Sequence, residues 1–268
     1  MNENRYGKKW ERQELLIAFG LYYKIPFGRM DKETPEIVRI AATMGRTPSS
    51  LAMKLVNIAS LDPKITSTGR KGLSGASDDD KAMWKEMHDD WNSFIPVAEK
   101  ALAKATEKAL AQDAASTKGD ASEAESSSID VGDYEGVDKE TGSTRRVGQN
   151  LFRKAVMSAY NYRCCITGLP VPELLVASHI IPWSEDTANR LNPSNGLALS
   201  MIHDKAFDRG LITIDEKLFI VMSSTVKVNN NFFRVAIQNY VGKKIELPGK
   251  FLPRQEFLEY HRTNIFQQ

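Results

Sequence analysis

The sequence contains very little cysteine. Its two cysteines, Cys164 and Cys165, are neighbours. Neighbouring cysteines rarely form a disulfide with each other, because the resulting geometry is strained. The pair therefore predicts reduced thiols in a reducing compartment, lying as small apolar groups in or near a core.

Long apolar runs are absent as well. No stretch approaches the roughly 18 residues that a membrane-spanning helix needs, and residues 1–9 are polar and charged, unlike a secretory signal. With 268 residues, 41% hydrophobic and 26% charged, the composition is that of a soluble globular protein with room for two domains. We therefore expect a cytoplasmic protein with no membrane partner.

The net charge of +2 conceals a strong local imbalance. Residues 113–140 carry nine acidic side chains against two lysines, which leaves the rest of the chain at +9. Few large apolar groups occur between residues 113 and 144, a composition typical of a disordered linker. The pattern predicts a flexible acidic linker over 113–144, joining folded parts that meet a polyanion.

Residues 1–112 predict an all-α domain. Apolar residues recur at helical spacing from Trp10, from Pro35 to a glycine at 45, and again after Thr47. A short helix, a glycine turn and a capped helix with nearby cations are similar to a helix-turn-helix, so Arg46 and Lys54 are candidate phosphate contacts. A small three-helix bundle used for packing or dimerisation is the alternative.

The remaining segment, 145–268, mixes helical patterns with short apolar stretches of strand length. An amphipathic helix carrying Arg153 is followed by strand-like segments at 174–177, 197–200, 211–214 and 218–222, and by a helical pattern at 257–266. The fold class predicted for the whole chain is α+β.

Within that segment, His179, Asn195 and His203 follow one another at a distinctive spacing. Two of the four histidines of the chain lie in this motif. Together with Cys-Ile-Thr-Gly at 165–168 and Phe-Asp-Arg-Gly-Leu-Ile at 207–212, the stretch 146–222 resembles the HNH nuclease superfamily, in particular a subgroup of prokaryotic restriction-type enzymes. The resemblance implies a β-hairpin followed by a helix around one divalent metal, the ββα-metal fold.

The resemblance also implies roles for individual residues. His179 takes the place of the general base that activates water, and an imidazole has a suitable pKa for that task. Asn195 takes the place of the residue that orients the base or fixes the loop, although an Asn-Gly pair can also be an ordinary turn. His203 falls at a metal-ligand position on the helix.

The metal site departs from the usual family pattern. Many HNH enzymes carry a ligand directly before the base, where this chain has Ser178, and a hydroxyl is a weak ligand for a hard cation. Asp208 is a candidate for the missing oxygen ligand, or a cap of the next turn. Asp204 is expected to face away from the direction of His203 and is a weaker candidate. Arg209 and Arg153 are candidate phosphate contacts.

These expectations describe a metal-dependent DNA endonuclease with a restriction or anti-phage role. It would use Mg²⁺ or Mn²⁺ to leave 5′-phosphate and 3′-hydroxyl ends. No structural zinc is expected, because the chain lacks the two Cys-x-x-Cys pairs that bind one in many HNH nucleases. Duplex DNA is the expected partner, and a homodimer would allow both strands to be cut. The alternatives are a DNA-binding protein with a weak or inactive HNH fold, and a nuclease for RNA or structured nucleic acid.

Overall fold

The computed structural model describes residues 5, 7–67, 75–116 and 142–268. The chain divides into two compact units, Met1–Gly142 and Ser143–Gln268. Most of the predicted acidic linker, residues 117–141, lies outside the described residues. No helix in the described ranges is both long and apolar enough to cross a bilayer.

The first unit is built from helices, as predicted. They are α1 (Arg12–Lys24), α2 (Pro35–Thr43), α3 (Pro48–Ala59), α4 (Pro63–Ser67), α5 (Asp78–Asp89) and α6 (Trp91–Ser116). Helix α1 lies in the centre, with ten consecutive residues from Glu14 to Tyr23 buried, and it packs against α3 and α6. The predicted pair of helices around residue 45 is α2 and α3, which also pack against each other.

Local sequence signals explain where these helices begin and end. Thr47 caps α3 by accepting a hydrogen bond from the Ser50 amide, and Pro48 occupies the first helical position. Gly45 ends the preceding segment with φ at +67°. The chain breaks between α5 and α6 at Asp90, whose carboxylate accepts from the Ser93 amide, and Pro96 lies within α6.

The second unit is a small α+β domain. It contains α7 (Gly142–Ala159), β1 (Leu175–His179), β2 (Gly196–Ser200), α8 (Met201–Asp208), β3 (Ile212–Ile214), β4 (Ile220–Met222), α9 (Asn231–Ala236) and α10 (Gln255–Asn264). Strands β1 and β2 pair antiparallel, as do β3 and β4. The predicted strand segments and the C-terminal helix are confirmed, with boundaries moved by a few residues.

The β1–β2 hairpin and α8 form the core of this unit. Their register pairs Leu175 with Ser200 at one end and His179 with Gly196 at the other. All of β2 is buried, and α8 packs on both strands. Helix α7 contributes Phe152 and Val156, both buried, next to Gly196. The last residue of β1 and one face of α8 are thereby brought to the same cavity.

Candidate active site

His179 ends β1 with its ring held on three sides. The Phe152 ring stacks on it, with centroids 3.6 Å apart and planes 13° apart. Trp183 meets it edge to face at 5.5 Å. Nε2 lies 3.1 Å from the carbonyl oxygen of Arg190. Because a carbonyl oxygen only accepts, Nε2 carries the proton and Nδ1 is the basic nitrogen.

Burial keeps the His179 ring neutral. It lowers the pKa of His179 to about 4, and the hydrogen bond to Arg190 opposes this change. A histidine with this pKa is unprotonated near neutral pH and can therefore accept a proton from water.

Asn195 fixes the chain just beyond the base. Its Oδ1 accepts from the Ile181 amide at 2.8 Å, and its Nδ2 donates to the Ile181 carbonyl at 3.1 Å. Its own carbonyl accepts from the Ile180 amide at 2.9 Å. The side chain is completely buried. Of the two predicted roles, the geometry fits loop fixation.

A cavity of about 500 Å³ opens beside His179. Ser178 and Trp183 line it from the hairpin side, and a group of charged residues lines it from α8 and the residue after it: Asp204, Lys205, Asp208 and Arg209. Asp204 and Asp208 are four residues apart, so they share one face of the helix. The cavity therefore combines a neutral imidazole, two carboxylates and two cations.

Both carboxyl groups lie where their ionised form is disfavoured. Burial raises the pKa of Asp204 to about 6, the charge of Asp208 adds to the rise, and the Ser178 hydroxyl and Lys205 oppose it. Burial also raises the pKa of Asp208, with Lys205 and Arg209 opposing. A bound cation would relieve the repulsion between the carboxylates and lower both pKa values.

Ser178 adds a polar atom to this group. Its Oγ is buried without a well-formed hydrogen bond, although the hydroxyl is near enough to Asp204 to lower the pKa of that carboxyl. Two carboxylates and a hydroxyl without a well-formed hydrogen bond fit a hard divalent cation such as Mg²⁺ or Mn²⁺, which takes oxygen ligands and retains several waters. Across the described ranges, no three His, Cys, Asp or Glu side chains gather into a fuller ligand set.

His203, the residue predicted to be a metal ligand, does not line this cavity. Its Nδ1 lies 2.7 Å from Ser200 Oγ, and its ring meets Tyr240 edge to face at 5.6 Å. It lines a separate, mostly apolar groove with Phe232 and Val235. Burial lowers its pKa, opposed by the Ala236 carbonyl. Consecutive helical residues point about 100° apart, so Asp204 faces the cavity and His203 does not.

Arg46 and Lys54 are buried, which corrects their predicted contact with phosphate. Arg46 donates to both carboxylate oxygens of Glu14 at 2.9 Å and also to backbone carbonyls. Lys54 Nζ lies 2.8 Å from a carboxylate oxygen of Asp80. Arg46 joins the turn before α3 to α1, and Lys54 joins α3 to α5, so neither cation is free to meet a polyanion.

Of the other two candidate phosphate contacts, only one faces the cavity. Arg209 is exposed and lines it. Arg153 donates to the carbonyls of Leu175 and Pro172, at 2.7 and 3.0 Å, and therefore supports the start of β1. Its guanidinium is therefore bound to backbone carbonyls.

The sequence placed Asp204 below Asp208 as a candidate ligand, and it gave no sign of two other contributors to the site, Phe152 and the Arg190 carbonyl. The i, i+4 spacing of Asp204 and Asp208 was a usable signal, since it places two acids on one helical face. The stacking of Phe152 and the direction of a backbone carbonyl depend on tertiary contacts and left no mark in the sequence.

Comparison with curated proteins finds no match to this chain. A comparison with protein families does find one: residues 164–215 match the family model described as HNH endonuclease. The matched segment covers β1, β2, α8 and β3 and includes His179, Asp204 and Asp208. This part of the second unit is therefore similar to the HNH endonucleases, and the match supports nuclease activity in general.

Proposed function

We propose that the chain is a metal-dependent DNA endonuclease whose active site is the cavity beside His179. One observation carries the proposal. A neutral imidazole with a free Nδ1 shares a cavity with two carboxylates whose pKa values are raised. Hydrolysis of a phosphodiester needs a base for water and a cation for the phosphate, and this cavity offers the base and side chains that could hold the cation.

Each residue has a defined part in the reaction. Nδ1 of His179 takes the proton from the attacking water, while Nε2 stays bonded to the Arg190 carbonyl and keeps the ring in place. Asp204, Asp208 and the Ser178 hydroxyl would hold the metal, which when bound stabilises negative charge on the phosphate and the leaving 3′ oxygen. Lys205 and Arg209 bind the flanking phosphates. The products would carry 5′-phosphate and 3′-hydroxyl ends.

We further propose duplex DNA as the substrate, a restriction or anti-phage role, and a cytoplasmic location. A single site of this kind cuts one strand, so a homodimer or two successive events would be needed for a double-strand break. The helix-turn-helix-like first unit would position the duplex. With Arg46 and Lys54 buried, the face of α3 left for DNA carries neutral side chains, such as the exposed Ser49 and Met53.

A plasmid assay tests the activity. Purified protein is incubated with supercoiled plasmid and Mg²⁺ or Mn²⁺, alongside His179→Ala, whose folding is checked by its thermal melt. We expect nicking by the wild type and loss of at least about 100-fold in rate for the variant, the scale of a lost general base. Nicking that persists in His179→Ala would refute the assignment of the base.

A second candidate function is DNA binding without catalysis. It is favoured by the thin metal shell: within the described residues, Ser178 adds a hydroxyl beside the two carboxylates, and no third His, Cys, Asp or Glu side chain joins them. Under this alternative the wild type binds the plasmid in a gel shift but leaves it intact with either metal. The same assay on RNA and on branched substrates separates a preference for those nucleic acids.

A further inference from the structure

The loop between β1 and β2 contains a chain of side-chain hydrogen bonds. Asp186 Oδ2 accepts from Asn189 Nδ2 at 2.8 Å, and its Oδ1 accepts from the Ala188 and Asn189 amides at 3.0 and 3.1 Å. Asn189 Oδ1 in turn accepts from Asn192 Nδ2 at 2.8 Å. Asn192 Oδ1 accepts from the Ser194 amide at 3.0 Å. Three side chains thus run in series along the loop.

The direction of this chain is set at its two ends. An ionised aspartate only accepts, and the Ser194 amide only donates. Asn189 must therefore present its NH₂ group to Asp186 and its oxygen to Asn192. Asn192 must present its NH₂ group to Asn189 and its oxygen to Ser194. Neither amide can turn over without setting two donors or two acceptors against each other.

Arg190 lies within the segment that this chain of hydrogen bonds spans, and its carbonyl accepts the hydrogen bond from Nε2 of His179. Arg190 lies between Asn189 and Asn192, and the Asn192 amide also donates to the Asn189 carbonyl at 3.2 Å. The Arg190 side chain provides a further anchor, since its Nε donates to the Trp183 carbonyl at 2.9 Å and its guanidinium lies 5.2 Å from the Trp183 ring centre. Asn192 is completely buried, which keeps water from competing for the bonds that its side chain makes.

We propose that Asp186, Asn189 and Asn192 are positioning residues that aim the Arg190 carbonyl at His179 and so keep Nδ1 as its basic nitrogen. This inference rests on the proposed function, in which Nδ1 takes the proton from water. If the Arg190 carbonyl turned away, the His179 ring could adopt its other tautomer or rotate about the bond that joins it to Cβ. In either case Nδ1 would no longer meet the water in the required direction.

The polarity of the chain of hydrogen bonds provides a sharp test in the 268-residue chain. Asp186→Asn sets two NH₂ groups against each other, and Asn192→Asp sets two oxygens against each other. Combining the two changes reverses both bonds between side chains: Asn189 turns over, donates to the new carboxylate at position 192 and accepts from the new amide at position 186. Glu185→Gln is the control, because it removes one charge from the same loop at an exposed side chain outside the chain of hydrogen bonds.

We expect each single variant to lose about 10- to 100-fold in kcat on plasmid DNA with little change in KM, the usual range for residues that orient a functional group. The double variant should recover most of that loss, and Glu185→Gln should behave as wild type. The ¹⁵N shifts of the His179 ring should show the Nε2-protonated tautomer in the wild type and the double variant, and a mixture in the single variants.

A purely structural role would lower the melting temperature of the single variants without changing the tautomer or kcat, and that result would overturn the proposal. Recovery of stability in the double variant without recovery of kcat would count against it equally. If the wild type cleaves no nucleic acid with any metal, the proposed function fails. The ring ¹⁵N shifts still decide whether the chain of hydrogen bonds orients His179.

Discussion

The position of His179 depends on the lack of a side chain at Gly196 as well as on the side chains around its ring. A Cβ at Gly196, the residue paired with His179, would overlap Val156 Cγ2 and lie 2.7 Å from Phe152 Cζ. Phe152 stacks directly on His179. The hairpin therefore needs glycine here so that Phe152 can approach the strand and support the imidazole.

Gly196→Ala should disturb the fold and the base together. We expect a loss of about 1 to 3 kcal/mol in the free energy of unfolding, the usual cost of overpacking, and a fall in kcat as Phe152 moves. Urea denaturation and the plasmid assay measure the two effects. Gly28→Ala is the control, because its Cβ would meet nothing within 4 Å. A Gly196→Ala protein with wild-type kcat would contradict the supporting role of Phe152.

We expect Asp204 to favour metal binding and to lower the free energy of unfolding of the metal-free protein. Its folded pKa of about 6 lies above its ordinary value of 3.8. The protonated form is thus favoured by folding, and its stabilising effect is complete below pH 3.8 and is lost as the pH rises through about 6. Above pH 6 the folded, metal-free protein bears the full cost of the buried charge.

Asp204→Asn should therefore stabilise the metal-free protein at pH 7. We expect a gain of about 1 to 2 kcal/mol, after discounting the roughly 1.4 kcal/mol per pKa unit for partial exposure. The gain should shrink towards pH 4. Thermal melts with and without Mn²⁺ should show stabilisation by the metal in the wild type and none in the variant. Glu259→Gln, at an exposed position on α10, is the control. A less stable Asp204→Asn protein at pH 7 would contradict this account.

Helix α8 presents different chemistry on two faces. Asp204 and Asp208 face the cavity, whereas His203 faces the apolar groove and bonds Ser200 at the start of the helix. The sequence motif located the helix and its charged residues correctly. It could not give the rotation of the helix about its own axis, because one residue of offset turns a side chain by about 100°.

His203→Ala should separate the two faces by experiment. The buried hydrogen bond to Ser200 is lost, so we expect the free energy of unfolding to fall by about 1 to 3 kcal/mol. The affinity for Mn²⁺, measured by calorimetry below the melting temperature, should stay within about twofold of wild type. An Asp204→Ala protein should lose that affinity. Loss of metal binding in His203→Ala with retained folding would restore its predicted role as a ligand.

The helices of the first unit show a related limit of sequence reasoning. The cap at Thr47 and the turn at Gly45 predicted α2 and α3 well, because those signals are local. The burial of Arg46 and Lys54 was not predictable, since it depends on Glu14 and Asp80, which are distant in sequence. Removing one partner of such a pair leaves an uncompensated buried charge. Substitutions at Arg46 therefore report on folding rather than on DNA contact.

At the scale of the molecule, the second unit holds every residue assigned to catalysis. A fragment spanning Ser143–Gln268 corresponds to one compact unit. We expect it to fold and to cleave plasmid DNA with a kcat within about threefold of the full chain, since the cavity is intact. If the first unit positions DNA, the fragment should bind the plasmid about tenfold more weakly.

Gel shifts at several salt concentrations, together with the solution mass, test that expectation. Unchanged affinity with a changed mass would favour dimerisation as the role of the first unit. A fragment that folds but does not cleave, next to an active full chain, would show that the first unit contributes to the active site.

The two cysteines give the protein an internal chemical reporter. Both are free and buried in the second unit, with exposures of 0% and 1%, and burial raises the pKa of Cys165. The Cys165 amide donates to Ala198 in β2, so these thiols become accessible only when the hairpin region opens. The rate at which a thiol reagent labels the native chain therefore measures opening of the second unit alone. It should slow when metal or DNA binds there, with no engineered label needed.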